Sequence, residues 1–285
     1  MKITLIDTQD KLIELASNLI SAQIISMDTE FVRRETYYAK LALIQIAFAD
    51  NIYIIDVLMT DINILWDAIL KSNAVKVIHS SRQDLEIFYY LFKNLPNNIF
   101  DTQIAASFCG YRSAMSYADL CKDICGIELD KTMQTSAWLE RPLKPEMIAY
   151  AALDVEYLER IYIHLKSIID KRKDSEEIIF QMRDMFLDLS IYKNLPEKAW
   201  TKIKFKDRSQ NFINRMKVLA AFREESAMQL NIPRGFFITD DQLIEVAKRL
   251  PVNIQMLKAT SRLEKYAMAP KYLSKLFDIC SSLSE

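Results

Sequence analysis

The chain has 285 residues, 51% of them hydrophobic and 26% charged, which is the composition of an ordinary folded protein and excludes disordered and collagen-like classes. No run approaches the roughly 18 uninterrupted apolar residues of a membrane span, and the opening MKITLIDTQDKLIEL has no signal-peptide core, so a cytoplasmic protein without membrane attachment is expected. The net charge of −1 hides a division: residues 1–170 hold 16 basic and 23 acidic side chains, a balance of −7, and residues 171–285 hold 21 and 15, a balance of +6, which reads either as two solvated faces or as the mark of a polyanionic partner.

The length suits two domains. In the first part, residues 24–27, 41–48, 52–56 and 75–79 are short, rich in β-branched or aromatic residues and bounded by polar turns, which predicts strands. The sequence AFADNIYIID reads as a hairpin through Ala49, Asp50 and Asn51, so at least one strand pair is antiparallel. Helical spacing follows over 81–91, 101–109, 116–125 and, longest, from Pro145 to about Asp170; Pro145 suits a first turn, where its missing N–H has no partner to lose. The result is a mixed sheet with helices, not a simple strand-helix repeat.

Cys121 and Cys125 stand four apart in CKDIC with no second Cys or His pair nearby, so they read, with Cys109 and Cys280, as reduced thiols and not as zinc ligands. Beyond Lys171 strand signals nearly vanish. EEIIFQMRDMFLDL is helical, YKNLPEKAWTKIKFKDRS is a polar connector, and the rest reads as short helices separated at Pro233, Pro251 and Pro270. With 3 Gly in the whole chain there is no glycine-rich phosphate loop.

The chemistry-bearing residues are acids. In IISMDTEFVRRETYYAKLALIQIAF an apolar strand ends in Asp28 and Glu30, which share a face because alternate strand residues do. Carboxylates held that close repel, and a divalent cation between them removes the conflict. In VKVIHSSRQDLEIF a strand runs into a helix, with Ser80 or Ser81 as the cap and Asp84 in the first turn, where the helix dipole favours an anion. In YAALDVEYL, Tyr150 and Asp154 lie four apart on one helix face above a packing stripe of Ala151, Ala152, Val155 and Leu158. Each feature alone also has a plain structural reading, as loop, cap or core rim.

Taken in order, the set resembles the DEDD superfamily of 3′ to 5′ exonucleases in its tyrosine subclass, and within it the ribonuclease D family. MDTEFVRRETYYAKLALIQIA, IHSSRQDLEIF, DTQIAASFCG, LDKTMQTSAWLERPL and YAALDVEYL carry the resemblance over most of residues 24–160. The basic tail from RSQNFINRMKVLAAF to EVAKRLP is similar to an HRDC domain, in one copy. The resemblance implies a ribonuclease H-like α/β nuclease domain over 1–170, a helical linker over 171–206 and an all-α HRDC domain over 207–285.

It further implies that Asp28, Glu30, Asp84 and Asp154 hold two divalent ions, Mg²⁺ or Mn²⁺, with Asp28 shared between them, and that Tyr150 orients the attacking water. The reaction implied is release of nucleoside 5′-monophosphates from RNA 3′ ends, by analogy those of tRNA precursors, by a monomer. The expected substrate contacts are the Thr29 N–H, Phe31, Leu43, Gln45 and His79. Lys131, Trp138 and Arg141, with Arg33 and Arg34, would add positive charge and a stacking platform. The residues leave open a DNA 3′ exonuclease with the same acids, and a nucleic-acid-binding module without activity.

Overall fold

Between residues 24 and 56 apolar side chains fill both strand faces, and this segment builds the centre of the sheet. The computed structural model describes residues 1–129, 137–261 and 269–284. In chain order its first half comprises β1 (Lys2–Ile6), α1 (Gln9–Leu19), β2 (Ile24–Val32), β3 (Lys40–Phe48), β4 (Asn51–Asp56), α2 (Asn63–Lys71), β5 (Val75–Ile78), α3 (Arg82–Phe92), β6 (Ile99–Asp101) and α4 (Thr102–Phe108). The strands form one mixed sheet of order β1-β4-β3-β2-β5-β6. β3 runs antiparallel to both neighbours, and the other pairs are parallel. Ala49 and Asp50 turn the β3–β4 hairpin with φ of 48° and 60°, the left-handed pair that matches strand twist.

β2 does not stop at the acids. It continues through Asp28 and Glu30 to Val32, because its backbone goes on pairing with β3, and the register shifts between Glu30 and Phe31, where Ala42 becomes the extra residue of a bulge. The predicted strand end is therefore a strand interior.

The next segment holds α5 (Tyr117–Leu120), a single π-helical turn at Cys121–Cys125 that ends on Gly126 at φ 71°, then α6 (Pro145–Glu156) and α7 (Leu158–Asp170). All four cysteines are free thiols. The predicted single helix over 145–170 is divided at Tyr157, where the Tyr117 hydroxyl accepts from the Tyr157 N–H at 3.1 Å and donates to the Leu153 carbonyl at 2.9 Å. A side-chain oxygen thus occupies the place of one backbone bond. α6 lies on the sheet through Met147, Ala151, Ala152 and Val155, which share a core with Leu43, Ala47, Ile52 and Ile54. Burying such side chains stabilises by roughly 1.5–3 kcal/mol each for the larger ones.

The predicted linker over 171–206 is split between two packed units, one formed by Met1–Val32 with Lys40–Tyr192, the other by Arg33–Ala39 with Lys193–Glu285. α8 (Ser175–Leu187) belongs to the first, since Ile178 and Met182 complete the core around α4 and α7. The 3₁₀ turn Pro196–Lys202 belongs to the second, through Ala199. That unit also holds α9 (Gln210–Leu230), α10 (Arg234–Phe237), α11 (Asp240–Arg249), α12 (Ile254–Ser261) and α13 (Pro270–Ser282) around Met216, Leu219, Phe237, Leu243 and Leu276. Thr239 and Gln242 form a reciprocal capping box at the start of α11. Within this unit Glu224 is buried, accepts from the Tyr37 hydroxyl and meets Arg234 at 3.5 Å.

Candidate active site

Leu43 and Ala47 lie in the core beneath α6. Their cross-strand partners are Glu30 and Ser26, and Gln45 is the partner of Asp28. Directly paired residues share a sheet face, so Ser26, Asp28 and Glu30 all stand on the side that α6 covers. α6 contributes Tyr150 and Asp154, both half-buried.

Asp84 arrives from the start of α3, held by a residue that the sequence does not mark as functional. Asp101 accepts from the Ser80 N–H at 3.1 Å, the Ser81 N–H at 2.7 Å and the Ser81 hydroxyl at 2.8 Å, and it also accepts from Gln103 N at 2.8 Å to cap α4. Ser81 does occupy the N-cap position, but its hydroxyl is committed to Asp101 and makes no capping bond. Ser80 takes a positive φ of 56° in this turn. The Asp-before-helix pattern in FDTQIA could have announced Asp101 as a cap, though not its hold on α3.

The acids press on one another. Burial holds the Asp28 carboxyl well above the ordinary carboxylate range, and Asp84, Asp154 and Glu30 each push it further. Glu30 is raised to about 8 by burial, then by Asp154 and Asp84. Burial raises Asp84 to about 7, against the hydroxyl of Thr29, which donates to it. Asp154 is raised to about 7 by burial. Among the described residues, no three acidic, His or Cys side chains converge into a closed ligand set. The four side chains are instead a loose group of hard oxygen donors under mutual repulsion, the donor chemistry that suits Mg²⁺ or Mn²⁺.

The structure redistributes the expected substrate contacts. Leu43 and Gln45 are 0% exposed, so neither can touch a substrate. Thr29 turns its hydroxyl to Asp84 and its N–H to Asp28. His79 hydrogen-bonds Thr102 at 2.9 Å and meets the Tyr117 ring, with centroids 5.8 Å apart, and burial lowers its pKa. Trp138 is 2% exposed and packs at 6.1 Å against Tyr150, which makes it a wall of the core behind that phenol and not a stacking platform.

Arg141 grips buried Asp56 through two nitrogens, the second at 2.7 Å, and donates to the Trp138 carbonyl at 2.7 Å, so its charge is consumed in fixing the approach to α6. Phe31, just past the bulge, keeps partial exposure. Arg33 and Arg34 are exposed. Lys131 lies outside the described residues. The burial of Leu43, Gln45 and Trp138 has one cause, since burial of a strand or loop residue depends on which helix covers it.

Residues 3–170 match the 3′-5′ exonuclease family and residues 213–280 the HRDC domain. The chain is 35% identical over 261 residues to ribonuclease D of Bartonella henselae, covering 90% of this chain and 64% of that one. It is 31% identical to ribonuclease D of Nitrobacter hamburgensis, covering 92% and 69%. Thus the chain spans about two thirds of the length of these curated relatives. Among solved structures it is similar to Escherichia coli RNase D, described as an exoribonuclease involved in structured RNA processing, with TM-score 0.86 and 27% identity over 100% of this chain and 76% of that one. The order of the acids, the mixed sheet and the helical C-terminal unit agree with these matches: the chain belongs to the ribonuclease D family of 3′-5′ exonucleases.

Proposed function

We propose that the chain is a divalent-metal-dependent 3′ to 5′ exoribonuclease that removes nucleoside 5′-monophosphates from RNA 3′ ends, with tRNA precursors and other structured RNAs as substrates. One observation carries the reading: four carboxylates from β2, α3 and α6, all raised by burial, Glu30 to about 8 and Asp84 and Asp154 to about 7, with Asp28 and Glu30 pushed further by the other acids, in a chain whose family is nucleolytic. Asp28, Glu30, Asp84 and Asp154 would hold two Mg²⁺ or Mn²⁺ ions, which supply Lewis-acid stabilisation of the attacking and leaving oxygens and lower the pKa of a bound water.

The chain's own residues do the positioning. Asp28, acted on by the other three, is the central donor. Thr29 orients Asp84 through its hydroxyl. Tyr150, backed by Trp138, presents its phenol as an orienter of the attacking water, since a phenol with a pKa near 10 is a poor base at neutral pH. Phe31 remains the candidate for stacking on the terminal base, which gives grip without sequence readout. The basic residues beyond 171 would hold the RNA backbone, and Arg33 and Arg34 would assist.

The test is Asp28→Asn on 3′-tailed RNA with Mn²⁺, with mononucleotide release followed by chromatography. Loss of release with retained folding supports the reading, whereas undiminished release refutes it. Matched RNA and DNA oligonucleotides separate the ribonuclease from a DNA exonuclease, because only the 2′-OH and the thymine methyl differ. A wild-type chain that binds RNA and releases nothing would be a binding module. Among the described residues no helix is long and apolar enough to cross a membrane. We propose a cytoplasmic monomer, which light scattering checks for oligomeric state.

A further inference from the structure

We infer that Tyr117 is a positioning residue for Asp154: its hydroxyl ends α6 just past the turn that carries Asp154 and fixes the carboxylate against the rest of the site. The inference rests on the metal-dependent reading above. The sequence alone calls for one unbroken helix, since Ala151, Ala152, Val155, Leu158, Ile161, Leu165 and Ile169 continue a single buried stripe. Nothing local breaks it. No Pro or Gly occurs from 146 to 170, and the break at Tyr157 comes instead from a hydroxyl 36 residues away that bonds Leu153 O and 40 residues away that bonds Tyr157 N. In its absence the Tyr157 N–H is free to bond the Leu153 carbonyl directly, as an α-helix dictates, and the turn carrying Asp154 would lose the fixed end that the Tyr117 hydroxyl gives it.

The same tyrosine is joined to the other helical acid. Its ring packs on His79, His79 bonds Thr102, and the neighbouring Asp101 clamps Ser80 and Ser81 at the head of α3, which carries Asp84. A continuous set of polar and ring contacts therefore runs from the turn before Asp84 to the turn holding Asp154. A tyrosine kept only for packing needs none of this, because a phenylalanine fills the same space and leaves the helix intact. Partners that orient metal ligands change metal affinity by about 10- to 100-fold when removed, and Tyr117 acts on a ligand's backbone turn in the same way.

The experiment compares wild type and Tyr117→Phe in the full chain. Mn²⁺ affinity is read by the electron paramagnetic resonance of free Mn²⁺, with thermal unfolding alongside. The expected result is about a tenfold weaker Mn²⁺ affinity. Turnover should fall at limiting metal and recover at saturating metal, with an unchanged KM for oligonucleotide. Equal Mn²⁺ affinity in a folded Tyr117→Phe protein overturns the inference while leaving the metal reading intact. A wild-type protein that binds no Mn²⁺ overturns the reading itself.

A second measurement needs no variant. If Tyr117 couples to the ligand turn, binding must by reciprocity strengthen its bonds, so Mn²⁺ slows hydrogen exchange of the Tyr157 amide in the wild type. An exchange rate unmoved by saturating Mn²⁺ also overturns the inference.

Discussion

The acid group makes the stability of the metal-free protein fall as pH rises, opposite to the usual behaviour of paired carboxylates. Folded Glu30 titrates near 8 and Asp84 and Asp154 near 7, with Asp28 well above its ordinary range. In the unfolded chain all four release their protons near pH 4. Between those limits the folded state binds more protons than the unfolded one, so unfolding free energy decreases with pH. His79 opposes this only below about 6.5, because burial depresses its pKa and its unfolded form charges there. Lys76, buried and lowered to about 8, makes its opposing contribution above that pH.

The clean window is therefore pH 6.5 to 8. Counting one net proton for the four acids, since like charges share protonation, the slope is about 1.4 kcal/mol per pH unit, or about 2 kcal/mol across the window. Urea unfolding in EDTA, followed by tryptophan fluorescence, measures it, because Trp66 and Trp138 both lie in the nuclease unit. Mn²⁺ at a hundredfold excess over its dissociation constant should add about 2.7 kcal/mol at pH 8 and flatten the slope. A stability that is level or rising from pH 6.5 to 8 in EDTA refutes the electrostatic account. An unchanged slope with Mn²⁺ would show that the acids are not where the ion sits.

Two further outcomes follow from the covered sheet face. Both amide atoms of Gln45 are buried and have no hydrogen-bond partner among the described residues. Gln45→Leu should therefore stabilise the metal-free protein by about 1–3 kcal/mol in urea unfolding, and a loss would mean that the amide is satisfied in solution. Arg141→Ala should cost about 3–5 kcal/mol, because it strands the Asp56 carboxylate, whose side chain is 4% exposed, without its ion partner. Adding Asp56→Ala should recover part of that loss, and simple additivity of the two variants would show that the pair is not coupled.

Legibility in the sequence follows the range of the forces at work. The β3–β4 hairpin could be read because its turn chemistry is local, and the acids because period two and period four put Asp28 with Glu30 and Tyr150 with Asp154. β6 escaped because three residues carry no period, and β1 because its five residues KITLI precede any turn signal. Leu43, Gln45, Trp138 and Arg141 neighbour the motifs, and that proximity alone suggests substrate contact. Yet Leu43, Gln45 and Trp138 are buried and Arg141 is committed to Asp56, and neither outcome is a local property of those residues.

The placement of the acids inside β2, and not at its end, has a mechanical consequence. A loop carboxylate can relax away from its neighbours and so escape repulsion. Asp28 cannot, because its residue is paired with Gln45, flanked by the β2–β5 ladder at Ser26 and closed off by the bulge after Glu30. Asp84 is tied through Asp101 and Thr29, and Asp154 sits in a helix whose end is set by Tyr117. Charges that cannot move apart must lower their energy by protonation or by a cation. On the metal-dependent reading proposed above, that rigidity of the scaffold would become affinity for a divalent cation, and the same rigidity leaves Ser26 and Gln45 with polar atoms that find no partner among the described residues.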